Sequence, residues 1–306
     1  MMDMDNNISW ELMDKVTLIV SSCDKYSDLW DPFFTVLKAE WQGLEHIHIV
    51  LNTESKSYSY KGLNISTFQL YREGESPSWT ERLRKTLERV GTKYVITLLD
   101  DFFMMGKVDS QKILKHIEWM EKDQRVSVFS YMETFTNNIQ DRKYESFERR
   151  PLIALYKFNC QAALWRRTRL ISYLKNNESP WEWETYGNWR SYRHPFHKFY
   201  SYIEGENYVF PYIYKVGETS FGGLGLYRGR WYLPYVQPVF EKHGIEIDYS
   251  IRGDISEKEI RDSITDEGNC SKKSFQPLRK AYGNIKFIIF NARFVFKHFI
   301  NNYGDK

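Results

Sequence analysis

The stretch that most constrains the fold runs from Tyr94 to Met105. There an apolar run (Tyr94, Val95, Ile96, Thr97, Leu98, Leu99) stops at Asp100 and Asp101 and is followed by Phe102 and Phe103. A run rich in β-branched and aromatic residues, bounded by Gly91 and Gly106, reads as a central strand of a parallel sheet with both faces covered. Two adjacent carboxylates then stand at its tip. In open α/β sheets ligands bind outside the carboxyl ends of the strands, so the pair lies where a nucleotide or a metal is expected. Like charges held together there cost free energy unless a cation or hydrogen-bond donors offset them. The bland alternative is that the acids only cap a helix.

A chain of 306 residues accommodates one large α/β domain or two modest ones. Its net charge of +3, from 43 basic and 40 acidic residues, lacks the global signature of a nucleic-acid binder, and no nucleic-acid partner is expected. Aromatic residues make up 17% of the chain, which suits either a tight core or a groove that stacks on flat rings and sugar faces. Cys23, Cys160 and Cys270 are widely spaced and form no Cys-x-x-Cys pattern, so neither a disulfide framework nor a zinc site is implied and a reducing, cytoplasmic setting fits. The acidic N-terminus lacks the layout of a signal peptide. No run of about 18 apolar residues exists, and the longest candidate, Ile285 to Phe296, is interrupted by Lys286 and Arg293.

In chain order, Val16 to Ser22 reads as a first strand with a polar turn at Cys23, Asp24 and Lys25, and Leu29 to Trp41 follows a helical period. Strands are expected at His46 to Leu51 and Ile65 to Leu70. Ser76 to Glu81 signals a helix start, with the helix running through about Val90. Its free N–H groups favour anions, which makes it a candidate diphosphate neighbour carrying Trp79 and Arg82; of Arg82, Arg84 and Lys85, two are expected on a solvated face. Asp109 to Lys122 reads as an amphipathic helix, Val126 to Tyr131 as a strand, Thr134 to Arg150 as a loop, and Leu155 to Trp165 as a strand within which Gln161 is the candidate ligand contact. The spacing predicts an α/β fold with a mostly parallel sheet flanked by helices.

A second informative stretch is Ser179 to Gly187, where Glu182 and Glu184 alternate with Trp181 and Trp183. On a helix beginning after Pro180 the two acids point in different directions, so one of them faces the site. A carboxylate packed between indoles has its pKa raised, as suits a proton acceptor near neutral pH; the alternative is an acid placed to complement the helix dipole. Asn207 to Val216 reads as an aromatic strand leading to the glycine-rich Gly217 to Gly229. That segment matches no Walker or dinucleotide fingerprint; with Arg228 and Arg230 beside it, it reads as a phosphate-closing loop or as a hairpin. The expected organisation is a main domain over 1–240, a polar linker over 241–271 with a short helix near Ser256 to Ile264, and a basic, aromatic helical tail over 272–306. Such a tail suits an anionic membrane surface or packing on the main domain.

Together these residues resemble bacterial glycosyltransferases of the GT-A fold, in particular those from surface-polysaccharide (capsule and O-antigen) clusters. The likeness is carried by Val16 to Asp24 with Tyr26 and Trp30, by the Ser78-Trp79 helix start, by Leu98-Leu99-Asp100-Asp101, by Gln161 to Trp165 and by Ser179 to Glu184, and it covers about residues 14–235.

The resemblance implies a nucleotide-diphosphate sugar, UDP-linked by expectation, at the C-terminal edge of the sheet. Ser22 and Asp24 would lie near the base or ribose, Asp100 near the ribose or sugar, and Trp79, Arg82 and Gln161 among the donor contacts. Asp101 would bind Mn²⁺ or Mg²⁺, although Phe102 and Phe103 depart from the family's Asp-X-Asp pattern. Glu184 would deprotonate the acceptor hydroxyl in an inverting displacement, with Glu182 in reserve, while Arg228 and Arg230 would neutralise the leaving diphosphate. His194 and His197 are candidates for a metal or phosphate contact. The acceptor would be a saccharide or a lipid-linked saccharide, with the tail on the inner leaflet. The alternatives are a non-catalytic nucleotide-sugar-binding protein and a nucleotidyltransferase that uses the paired aspartates.

Overall fold

The computed structural model describes residues 10–263 apart from 134–138, 140, 142, 153, 155–156, 204–207, 213–214, 217–218 and 221–224. The expected tail over 272–306 lies outside the described residues. The described chain forms two units, one ending at Asp254 and one beginning at Ile255.

Strand β1 (Val16–Ser21) is buried along its whole length, as a strand covered on both faces must be. It is followed by a 3₁₀ turn (Asp24–Leu29) and helix α1 (Trp30–Glu40), then β2 (His48–Asn52) and the very short β3 (Ile65–Ser66). Helix α2 (Trp79–Arg89) starts where its cap is encoded: the Ser78 hydroxyl accepts from the Glu81 N–H at 3.2 Å. It leads to β4 (Tyr94–Leu99), α3 (Ser110–Lys122, capped by Asp109) and β5 (Val126–Glu133). Next come β6 (Phe147–Arg149), inside the stretch expected to be loop, and β7 (Ala163–Arg166), which is shorter than expected because Phe158 to Ala162 approach it as irregular chain. Helices α4 (Arg167–Tyr173) and α5 (Pro180–Ser191) precede β8 (Lys198–Tyr202). Of the aromatic strand expected over Asn207 to Val216, residues 208–212 are irregular. Among the described residues of that stretch, β9 (Lys215–Val216) pairs with β10 (Thr219–Ser220). The hairpin β11 (Leu226–Tyr227) and β12 (Arg230–Trp231) is followed by α6 (Leu233–His243). In the second unit Ser256 and Glu259 cap a short helical segment reciprocally.

The main sheet has eight strands in the order β3-β2-β1-β4-β7-β5-β8-β6. Strands β3, β2, β1 and β4 run parallel, β7 is antiparallel to both β4 and β5, β8 is parallel to β5, and β6 is antiparallel to β8. The mostly parallel α/β sheet expected from the sequence is therefore present. One consequence positions the site: the C-terminal ends of β1, β2 and β4 and the N-terminal end of the reversed β7 share one edge. Asp100 lies three residues beyond Thr97 and Cys160 three before Ala163, and Thr97 and Ala163 are register partners.

Most of the aromatic excess goes into the core. One buried cluster joins Leu83 and Leu87 of α2, Phe158, Trp165, Tyr173, Trp183 and Phe199. A second set, Phe129, Phe147, Tyr200 and Tyr202, packs ring on ring around β5, β6 and β8. Helix α6 lies against α1: the buried Glu40 carboxylate accepts from Lys242 at 2.6 Å and is paired with Lys107 and His243.

Candidate active site

Asp100 and Asp101 follow β4 directly, and the two phenylalanines after them explain their placement. Phe102 stacks on Tyr212 with ring centroids 4.5 Å apart, and Phe103 meets Phe33 of α1 at 6.5 Å and Phe240 of α6 at 4.9 Å. Both phenylalanines are buried, so where an Asp-X-Asp pattern would carry its second acid this chain carries a core anchor. The anchors hold the chain that bears the acids against the end of the sheet.

Asp100 is buried and accepts a short hydrogen bond from the Ser22 hydroxyl, which itself accepts from the Trp30 indole N–H at 2.7 Å. Burial pushes the Asp100 carboxyl up to about 7, against the hydrogen bond from Ser22 and the attraction of Arg252. Burial also raises Asp101 well above the ordinary range, and the Asp100 charge adds to the effect. Asp101 Oδ1 is buried without a hydrogen-bond partner. Such a group calls for a proton or a cation. Mg²⁺ or Mn²⁺ is held by one or two carboxylates plus phosphate oxygens, so this hard-oxygen pair fits that kind of ion. Among the described residues no three His, Cys, Asp or Glu side chains gather as a ready metal cage, so protein side chains would supply only part of the coordination shell.

Other expected contacts are placed around this edge with varied roles. The Asp24 carboxylate accepts from the N–H groups of Glu54 (3.0 Å), Ser55 (3.0 Å) and Lys56 (3.1 Å) and from the Ser55 hydroxyl (2.6 Å), clasping the turn after β2. Burial works against its charge, but those donors outweigh it and lower the pKa. Arg82 is the one inward-facing residue of its basic trio. It donates to the Ser22 carbonyl at 2.5 Å and pairs with Glu54 at 3.0 Å, so its guanidinium ties the ends of β1 and β2 together rather than standing open to a donor. Arg84 and Lys85 pair with Glu88 and Glu81 on the outer face, as expected for solvated charges.

Trp79 lines a small cleft with Ser21, Leu99, Asn159, Cys160 and Trp183, and its ring lies 5.4 Å from that of Trp183. The Gln161 side-chain oxygen Oε1 accepts from the Tyr212 hydroxyl at 3.1 Å, and that hydroxyl accepts from the Ala162 N–H at 3.1 Å. Gln161 is thereby linked through Tyr212 to Phe102.

The two glutamates of α5 separate cleanly. Glu184 is turned inward, and its Oε1 accepts from the Cys160 N–H at 2.8 Å. Burial raises its pKa, while the bonds to Cys160 pull the other way. Glu182, expected as the reserve base, is instead the third helical residue of a capping box: its carboxylate accepts from the Ser179 N–H and hydroxyl, each at 2.8 Å. Those bonds lower its pKa and occupy it at the exposed start of the helix.

Arg228 and Arg230 belong to a tight hairpin. Arg228 (φ 52°) and Gly229 (φ 82°) are both left-handed, the signature of a type I′ turn, and Arg230 donates to the Asp254 carbonyl. The hairpin reading of the glycine segment therefore holds for its described end. The residue before β11, Gly225, touches the acids directly: its N–H donates to the Asp101 carbonyl at 3.2 Å. His194 and His197 immediately precede β8, whose N-terminal end lies on the opposite edge of the sheet, so they are not part of this site.

Sequence reasoning missed Arg252, which the polar composition of 241–271 hid. It donates to Asp28 (Nε to Oδ2, 2.6 Å), lies over the Tyr26 ring at 4.5 Å, and its charge lowers the pKa of both Asp100 and Asp101. No local pattern in the sequence announces a cation that reaches back some 150 residues to a strand tip.

Fold and site together define an α/β protein with an adjacent acid pair, one buried and one half-buried, an inward glutamate and an arginine at the carboxyl edge of a mostly parallel sheet. At the sequence level the chain matches no protein-family model and no curated protein. Solved structures that overlap it include a mannosyltransferase, PcManGT from Pyrobaculum calidifontis, in complex with GDP-Man and Mn²⁺ (TM-score 0.34, 12% identity, 50% of this chain and 45% of that one). TarS 1-349 from S. aureus, in complex with UDP-GlcNAc, overlaps with TM-score 0.40 and 10% identity over 78% of this chain and 69% of that one. A CMP:2-keto-3-deoxy-manno-octonic acid synthetase complexed with CTP overlaps with TM-score 0.36 and 13% identity over 61% and 89%. The chain spans less than half of the mannosyltransferase's length.

Proposed function

We propose that the protein is a glycosyltransferase that moves a sugar from a nucleotide-diphosphate sugar to a hydroxyl of a saccharide or lipid-linked saccharide. The observation that carries this reading is the Asp100–Asp101 pair at the tip of β4: Asp100 is buried, Asp101 is half-buried with its Oδ1 enclosed and unpartnered, and both are raised in pKa. In this reading Ser22 and Asp100 meet the ribose or sugar, Trp79 and Gln161 line the donor's path, and Asp24 and Arg82 shape the strand ends around it. Asp101, with Asp100, would hold a divalent ion, which would offset charge on the departing diphosphate.

Glu184 is assigned as the base. Its raised pKa suits proton acceptance near neutrality, and the acceptor oxygen bonds to the anomeric carbon as the bond to the diphosphate oxygen breaks and the hydroxyl proton passes to Glu184. Arg252 joins Arg228 and Arg230 as a candidate to neutralise the leaving group. The basic, aromatic 272–306 is assigned to an anionic membrane surface by its composition alone.

The test is a thermal-shift panel of UDP-, GDP- and dTDP-sugars with and without Mn²⁺, because a ligand that binds only the folded state raises its stability. A donor that shifts the melting point and is then consumed with release of nucleoside diphosphate supports the reading. Binding without turnover points to a carrier, and pyrophosphate release from a nucleoside triphosphate points to a nucleotidyltransferase.

A further inference from the structure

His194 and His197, which the acid edge does not use, belong to a cluster at the opposite edge of the sheet. They sit one turn apart before β8, and the turn is closed by the His197 N–H donating to the His194 carbonyl at 3.0 Å. Their rings stack, with centroids 4.8 Å apart and planes 5° from parallel. Tyr173, at the end of α4, meets both rings edge-on at 5.8 and 6.0 Å, and its hydroxyl is hydrogen-bonded to Nδ1 of His197. Nε2 of His197 is therefore the ring nitrogen left for another partner. Arg169 lies four residues before Tyr173, on the same face of α4.

This cluster holds a cation without a counter-ion. Arg169 is half-buried, its Nε is enclosed without a hydrogen-bond partner, and no carboxylate pairs with it among the described residues. Its charge acts on both imidazoles, Arg193 acts on His194 as well, and no carboxylate acts on either ring. Burial, first, and then these charges hold both histidines below their ordinary range, His197 at about 4, so the rings are neutral at neutral pH. The acids of α5 and of the chain before it are engaged elsewhere. Glu178 takes both donors of Arg190 at 2.7 and 2.6 Å, Glu182 is held by Ser179, and Glu184 by Cys160.

A half-buried guanidinium beside two imidazoles offers N–H donors and positive charge, and its complement is an anion with several oxygens. Arg169 opposes a metal ion there, and among the described residues no three ligating side chains gather. A tetrahedral oxyanion has oxygens enough to engage the guanidinium fork and an imidazole on different sides. We propose that Arg169, His194 and His197 form a binding site for a phosphate group, separate from the acid edge. The site does not depend on the sugar-transfer reading. Inorganic phosphate and a phosphate monoester share this chemistry, and the experiment separates them.

The experiment follows the imidazole resonances of the full-length protein, labelled at histidine, as inorganic phosphate or glycerol 3-phosphate replaces chloride at constant ionic strength. The His194 and His197 resonances should move saturably, and the tighter of the two ligands identifies the source. Arg169→Gln should weaken that binding by at least about tenfold, as loss of a charge-assisted hydrogen bond does, and His194→Ala by about threefold. Arg169→Lys, which keeps the charge and loses the paired N–H groups, should fall between Arg169→Gln and the wild type. Replacing Arg169 breaks no ion pair, so the melting point and any donor-induced thermal shift should stay at wild-type values. Phosphate also suits the acid edge, and Arg252→Gln separates the two sites: it should leave the responses of both rings as they are. Rings that do not move in the wild type, or an Arg169→Gln protein that binds as the wild type does, would overturn the proposal. So would a response lost in Arg252→Gln, which assigns the phosphate to the acid edge. Rings that respond in a protein that binds no nucleotide sugar would leave this site standing and remove the sugar-transfer reading.

Discussion

The hydroxyl of Ser22, just past β1, donates to the carboxylate of Asp100, just past β4, and so joins the tips of two neighbouring parallel strands. That same hydroxyl accepts from the Trp30 indole N–H at 2.7 Å. The donor carries no charge, so the contact offsets only part of the cost of burying the acid, and burial still carries Asp100 up to about 7 and raises Asp101 well above the ordinary carboxylate range.

The sign of the pH dependence follows. A carboxyl whose folded pKa lies above its unfolded value of about 3.9 keeps a proton in the native state that the unfolded chain has already released, so stability falls as pH rises through that window. For Asp100 the window runs from about pH 4 to about pH 7. Asp101→Asn should therefore raise the melting point of the ligand-free protein at neutral pH and flatten its decline with pH. In the proposed reading Mn²⁺ would bind the ionised pair, so the melting-point increase it causes in the wild type should grow from pH 6 to pH 8 and vanish in Asp101→Asn. Transfer activity in that variant should fall by about 10²-fold or more, the scale of several kcal/mol of charge stabilisation. Calorimetry across pH with and without Mn²⁺ checks the first part and initial rates check the second.

The two glutamates of α5 should behave oppositely. Glu184→Gln keeps an oxygen to accept the Cys160 N–H, so the protein should fold normally while kcat drops about 10²- to 10⁴-fold, the usual contribution of a positioned base. Glu182→Gln should leave kcat unchanged, and Ser179→Ala, which removes the cap from the other side, should cost about 1 kcal/mol without affecting turnover. Steady-state kinetics with urea melts separates these outcomes. A Glu182 variant that loses activity while keeping its stability would reverse the assignment.

These contrasts show where the sequence was readable. The Tyr94 to Leu99 strand, the Ser78 and Asp109 caps and the helix after Ser179 were visible because each is written in neighbouring residues: an apolar run, or a polar side chain one turn from its partner. Glu182 and Glu184, expected to point in different directions, do so: one bonds Ser179 and the other Cys160. What sequence could not supply was the fate of groups whose partners are distant. Arg82 is spent on Ser22 and Glu54, Asp24 on the turn at Ser55, and Arg252 on Asp28, each across a long stretch of chain. Helix α6 was missed because Pro234 and Pro238 break its helical signal, although Pro234 sits in the first turn, where a missing N–H costs nothing. The histidines near β8 failed as site residues for a topological reason, since the end of the sheet they occupy is set by strand direction.

Of the two described glycines of its segment, Gly225 should be hard to replace. A Cβ there would stand 2.7 Å from the Asp101 carbonyl oxygen and collide with the Phe103 ring, which is itself wedged against Phe240. Neither neighbour is the free end of a flexible chain. Gly225→Ala should therefore cost about 1–3 kcal/mol, the range for overpacking, and displace Asp101 enough to weaken the Mn²⁺-dependent thermal shift. Gly244→Ala is the control: its φ of 63° strains an alanine, but no atom lies near its Cβ, so it should lose stability without changing the Mn²⁺ response.

Arg252 and Asp28 offer the sharpest separation of a binding role from a merely structural one. If the pair only fastens the chain near Tyr26, removing either partner should have the same effect, a modest loss of stability with donor affinity following it. The electrostatics argue for more, because Arg252 lowers the pKa of both aspartates while Asp28 raises that of Asp100. Arg252→Gln should therefore push Asp100 further up and weaken binding of a nucleotide-diphosphate sugar by about 10- to 100-fold, the range for a hydrogen bond to a charged group. Asp28→Asn removes the carboxylate that neutralises the guanidinium. Its cation is then more available to diphosphate oxygens, and donor affinity should hold or increase even as the melting point falls. Isothermal titration of the two variants, at pH values on either side of 7, reads both effects, and parallel losses of affinity would confine Arg252 to holding the loop.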